Sequence, residues 1–235
     1  MGFVLCILHS HAMALAAAAP AADRPAVAYL MTDEAALPYA LSDLAAQLAD
    51  RGLLAATVSA GQAFGAEIES VNVASGALAL RDRGLTRVVV SPGPGHAGTE
   101  TALGFATLAQ AGHAALLSAL GADVALAVRA SERDSRARHR GVSHHTRTLV
   151  ALTPEAVAVP VPTASALPAR GPGESPAEWP ASARARLRPF DPVDVAGALT
   201  HHRLPIATMG VPLADDSLAC AFLGAAAAWL AQPPQ

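Results

Sequence analysis

Short apolar runs alternate along the chain with longer stretches in which apolar residues recur every three or four positions. The runs predict strands at Phe3 to Leu8, Ala26 to Met31, Leu54 to Val58, Thr86 to Val90, Val124 to Arg129 and Pro205 to Met209. The longer stretches predict helices at Leu41 to Ala49, Val71 to Leu80, Leu103 to Leu120 (broken near Gly112), His144 to Leu152 and Leu218 to Leu230. Ala12 to Ala19 reads as part of a further helix, and Val157 to Val161 reads as extended. Asp216 is placed to cap the last helix and Ser143 the one opening at His144. Apolar strands separated by helices imply an α/β fold: a mostly parallel sheet with helices on both faces, a Rossmann-like three-layer arrangement.

The organisation read from this pattern is an α/β core over 1–161, a Pro-, Ala- and Arg-rich linker or surface excursion over 162–192, and a strand–helix return over 193–235. In the excursion Arg184, Arg186 and Arg188 alternate, the pattern of a solvated extended segment. Gly2 to Ala22 is apolar enough to mimic a secretory signal. However, no basic residue precedes the run, and His9, Ser10 and His11 interrupt it, so a buried strand and helix are expected instead. Neither this stretch nor Leu218 to Leu230 is long enough to cross a bilayer, and a cytoplasmic protein with no membrane partner is expected.

Composition narrows the chemistry. Hydrophobic residues make up 52% of the 235 but aromatics only 4%, so the core is to be built from Ala, Val and Leu. The net charge of −3 gives no basic face for nucleic acid. All 16 basic residues are Arg, so a Schiff-base lysine or a phosphate-loop lysine is excluded. The two cysteines, Cys6 and Cys220, fit no metal or redox spacing and read as free thiols.

In an open parallel sheet, ligands collect beyond the C-terminal strand ends. The residues expected there are His9-Ser10-His11, Thr32-Asp33-Glu34, the Gly61 to Glu67 loop, and the loop holding Gly93, Gly95, Gly98 and Thr99. That last loop has the glycine content of an anion cradle without matching a dinucleotide or lysine-containing phosphate motif. The densest polar cluster runs from Asp134 to Thr146. Its Arg136 and Arg140, before a helix start at Ser143, are expected to hold an anion, with His139 lining the pocket. His144 or His145 would move a proton, oriented by Asp33, and His9 would add a ligand contact. Adjacent histidines on a helix point about 100° apart, which argues against their sharing a metal. No metal site is assigned, and no cofactor is identified.

AYLMTD (28–33), GQAFG (61–65), VNV (71–73), GPG with Gly98-Thr99, TMG (208–210) with Asp215-Asp216, and above all HRGVSHHT (139–146) resemble a bacterial family, domain of unknown function 3866. The resemblance runs from about Gly2 to the end. It implies no reaction and no catalytic roles. It also implies that family members extend further at the N-terminus, so that Phe3 to His11 matches an internal strand and loop. Glu34 and Glu100 depart from the family pattern, which has small residues there. Three functions remain open: an enzyme acting on a small anionic metabolite, a non-catalytic nucleotide- or metabolite-binding module, and a metal-dependent hydrolase. A homo-oligomer is also left open.

Overall fold

The computed structural model describes residues 1–19, 27–167, 179 and 181–233. Six strands form one sheet: β1 (Gly2–Leu5), β2 (Val27–Thr32), β3 (Leu54–Ala60), β4 (Ile68–Ser70), β5 (Arg87–Pro92) and β6 (Asp123–Leu126). Their order is β4-β3-β2-β5-β1-β6, and every pairing in it is parallel. The helices between them are α1 (His9–Ala18), α2 (Asp43–Asp50), α3 (Val73–Asp82) and α4 (Gln110–Ala119). Beyond β6 come the short antiparallel pair β7 (Ala130–Ser131) and β8 (Gly141–Val142), then α5 (His144–Leu152). Next are β9 (Val159–Pro162), α6 (Ala181–Arg184), β10 (Leu187–Phe190) and α7 (Val195–His201). The hairpin β11 (Ala207–Thr208) and β12 (Val211–Pro212) precedes α8 (Ser217–Leu230).

Alternation along the strands sorts the core into two layers. Phe3, Leu5, Leu30, Val88 and Val90 face α3, α4 and α5 through Leu80, Leu117 and Leu149. Val4, Cys6, Tyr29, Met31 and Val89 face α1, α2 and α7 through Met13, Leu48 and Leu199. The three-layer α/β arrangement expected from the sequence is what the chain adopts. Helix α1 is the innermost element: every residue of it except Ser10 is buried. Small alanines allow that close approach, and a helix apolar on all sides is stable only when enclosed. No helix among the described residues is long and apolar enough to cross a membrane.

Several boundaries differ from the expectation. The pattern over Leu103 to Leu120 breaks at its start rather than at Gly112. Helix α4 is continuous through Gly112, while Phe105 forms a bridge to Gly98 and only a 3-10 turn precedes the helix. The strand expected over Pro205 to Met209 shrinks to two hydrogen-bonded residues on each side of a tight turn. In that turn Met209 and Gly210 both have positive φ, +53° and +83°, the sense that matches a twisted hairpin. The alternate arginines of the excursion are not all solvated: Arg186 is 4% exposed. Its guanidinium donates to the carbonyls of Val150, Thr153 and Val157, tying the C-terminus of α5 to β9 and β10. Residues 168–178 and 180 of that excursion lie outside the described residues.

Candidate functional site

The chain leaves β2 toward one edge of the sheet through α2 and leaves β5 toward the other through α4, so the connections diverge at their C-terminal ends. Such a divergence opens a crevice. The loops after β5 and β6 fill one side of it. Thr99 N–H donates to the Gly104 carbonyl at 2.6 Å and Ala106 N–H to the Ala97 carbonyl at 2.9 Å, so the glycine-rich loop folds back on itself. The segment after β6 is clamped to α5: Ser143 N–H reaches the Arg129 carbonyl at 2.9 Å, and Arg129 N–H reaches Thr146 Oγ1 at 2.9 Å. Ser143 Oγ caps α5 by accepting from His145 N–H, as the sequence predicts.

Between the two loops lies a cavity of about 70 Å3 lined by His96, Gly98, Thr99, Arg129, Arg136, Arg138, His139, His145 and Met209. Four imidazoles crowd it. Ring centroids are 4.2 Å apart for His144 and His145, 4.9 Å for His139 and His145, and 5.4 Å for His96 and His145. Phe105 stacks on His145 at 4.0 Å and 12°, which fixes that ring. His139 Nδ1 is held 2.8 Å from Ser143 Oγ. Both nitrogens of His96 and the Nε2 atoms of His144 and His145 have no hydrogen-bond partner.

The charge balance explains the state of these rings. Asp134, 6% exposed, takes two hydrogen bonds from the Arg136 guanidinium and one from Arg129 at 3.3 Å. Burial alone would raise its carboxyl, but the Arg136 hydrogen bonds and the charge of both arginines hold it at about 2. Arg138 pairs with the exposed Glu100 at 3.2 Å. One buried carboxylate thus stands between two guanidinium groups, and the third, Arg138, pairs only with an exposed partner. Burial and the arginine charges push His96 down to about 4 and His139 to about 3, and burial with the neighbouring His144 and Arg129 pushes His145 to about 3. His144 is lowered by burial and the arginine charges. The rings are neutral at pH 7, with lone pairs available.

Of the residues the sequence put forward, Gly98, Thr99, Arg136, His139 and His145 line this cavity, with His144 and Ser143 against it. Arg140 is exposed and reaches the Asp134 carbonyl at 3.4 Å rather than the cavity. Gly93 packs against the Met31 sulfur and Gly95 against Leu37, so neither lines it. Asp33 does not orient a histidine. Its carboxylate accepts from Gln62 N–H at 2.8 Å, and Gly61 (φ +72°) leaves room for it where a Cβ would sit 2.3 Å from Oδ2. A strand-end carboxylate has been captured by the nearest free backbone donor. His9 points away as well, to Tyr29 Oη at 3.0 Å and Ser42 Oγ at 2.6 Å, because it opens α1 rather than a loop.

Sequence reading missed three participants. Arg129 looked like the last residue of a strand, yet the strand ends at Leu126 and Arg129 is a 3%-exposed cation at its mouth. An Arg ending an apolar run was its available signal. His96 stood in the glycine loop unremarked, and Arg138 sat inside the polar cluster without a role. A larger cavity of about 300 Å3 opens at the other end of the strands, beside Gly2, Asp123, Arg188 and Trp229. It has no histidine or hydroxyl in its lining, so the crevice remains the chemical candidate.

No curated protein and no solved structure matches the chain. One family model does, over residues 1–229, from β1 to the last turn of α8 and including the HRGVSHHT segment. The chain therefore belongs to the family described as protein of unknown function DUF3866.

Proposed function

We propose that this protein is an enzyme acting on a small metabolite that bears a phosphate or carboxylate group, bound in the crevice between the β5 and β6 loops. The observation that carries this reading is the gathering of Arg129, Arg136 and Arg138 around one cavity whose lining contains no carboxylate, with Asp134 behind it pairing two of them. Guanidinium groups suit planar or tetrahedral oxyanions because they offer paired donors in a fixed fork. The cavity size fits the anionic end of a metabolite rather than a nucleotide. His96, neutral and with both ring nitrogens unpartnered, stands ready to accept or deliver a proton beside the bound anion. That pair of free nitrogens favours chemistry over binding alone, since a purely structural histidine satisfies at least one of them.

The test is a thermal-shift and calorimetric series with inorganic phosphate, phosphorylated sugars and short carboxylates on metal-free protein. A ligand is expected to raise Tm, and Arg138→Gln is expected to weaken it about 10- to 100-fold, the worth of one charge-assisted contact. Turnover of a binding metabolite that vanishes in His96→Gln, with binding retained, completes the case. Equal anion binding by wild type and Arg138→Gln refutes it.

A further inference from the structure

The anion reading assigns a proton-transfer role to His96 and leaves three neighbouring histidines without one. His139, His144 and His145 present one ligand atom each, and these atoms all lie within 4.8 Å of one another. They come from two elements. His139 ends the 3-10 turn Ala137–His139, and the other two open α5. The sequence argument that neighbouring helical histidines diverge by about 100° holds for ideal mid-helix rotamers. At this helix start the two rings lie 4.2 Å apart, and His139 comes across to face them. The Nε2 atoms of His144 and His145 are buried without a partner. His145 is 2% exposed, so water does not make good that loss. We infer that His139, His144 and His145 form a site for one divalent transition-metal ion of the zinc class.

The donor set selects the ion. Three neutral imidazoles with no carboxylate suit Zn, Co, Ni or Cu and exclude Mg and Ca, which demand oxygen. Three histidines leave one position of a tetrahedron open, the pattern of a reactive rather than a purely structural zinc site. The supporting contacts have the expected form: Ser143 Oγ orients His139 through Nδ1, and the Phe105 stack locks the plane of His145. Arg129 lies 3.4 Å from His145 Nδ1 through one terminal nitrogen and donates to Asp134 through the other at 3.3 Å. The same cavity carries the three arginines, so the open position and the anion site adjoin. The inference shares the crevice with the anion proposal but rests on different side chains.

The experiment uses full-length protein dialysed against chelator and titrated with Co(II) alone. One equivalent is expected to bind, with the visible absorption of a low-coordinate Co(II) in a nitrogen field. Zn(II) should bleach that absorption, and Mg(II) should leave it unchanged. His144→Ala should weaken Co(II) at least tenfold, whereas the paired change His201→Ala/His202→Ala on the surface should not alter it. His144 is half-buried, and circular dichroism of the variant checks that it folds. A variant that fails that check is replaced by His139→Gln, read the same way. No stoichiometric Co(II), or stoichiometric Co(II) that survives loss of His144 or moves with His202, overturns the inference. Anion binding to the metal-free protein is scored separately by Arg138→Gln, so either reading can fail while the other stands.

Discussion

The most exacting consequence of the fold concerns acid rather than substrate. His9 is 8% exposed and sits between Tyr29 Oη and Ser42 Oγ, and burial pushes it from the ordinary 6.5 down to about 4. The folded chain therefore binds this proton less readily than the unfolded chain does. Its contribution is fully present above pH 6.5 and is lost progressively as pH falls toward 4. At pH 5 the unfolded histidine is almost wholly charged and the folded one almost wholly neutral. The difference is about 2 kcal/mol at 1.36 kcal/mol per pH unit. For a chain of this length that is a fall of about 4–8 °C in Tm. His11, 3% exposed and held at about 3 by burial and the charge of Arg129, adds a loss of the same size. Urea unfolding at pH 8, 6.5 and 5 measures the slope. His9→Gln, which keeps a polar partner for Ser42, is expected to lose about 2 kcal/mol less than wild type across that interval. The site histidines contribute to both proteins and cancel in the comparison. Identical slopes for the two proteins, or a wild-type stability flat from pH 8 to 5, would refute the reasoning.

Two further substitutions test what holds the site together. Asp134→Asn removes a carboxylate kept near 2 by Arg136 and Arg129 and leaves Arg129 buried with a weaker partner. It is expected to cost about 2–4 kcal/mol in urea unfolding at pH 7, and a loss below 0.5 kcal/mol counts against the charge balance described. Arg186→Met strips donors from the Val150, Thr153 and Val157 carbonyls and from the Thr153 hydroxyl. A cost of about 3–5 kcal/mol is expected, read by the same assay, with earlier hydrogen exchange in α5 than in α3.

The framework was legible because its signals are local. Val27 to Met31 and Val88 to Val90 are buried on both faces, so they read as unbroken apolar blocks, and each delivered a strand of the parallel sheet. Caps at Ser143 and Asp216 were equally local and were found. Strand β4 was not, because its three residues, Ile68, Glu69 and Ser70, lie at the sheet edge with no apolar block to mark them. The start of α4 was misplaced because Leu103 and Ala106 continue the apolar spacing of the helix backwards past Gly104. Phe105 spends its apolar surface on His145 instead. The site was half legible for the same reason. Polar residues near strand ends mark a rim, but a side chain's partner is chosen by the nearest unsatisfied group in space. Asp33 finds Gln62 N–H, and His9 finds Tyr29, while His96 and Arg129 are left for the cavity.

That division of partners also bears on how the two proposed ligands relate. Burial opposes protonation of the imidazoles, and so do Arg129 and Arg136 at His139, Arg129 at His145 and all three arginines at His144, which keeps the nitrogen lone pairs available to a metal. The same positive field opposes a dication, and Asp134 offsets only part of it. A dication therefore gains most when an anion arrives with it, since the anion takes the open position and faces the guanidinium groups. The anion in turn gains from the ion. Linkage requires both gains to be equal in free energy. A crevice with arginines and no free carboxylate, beside three convergent histidines, is thus better matched to an ion and an oxyanion together than to either alone.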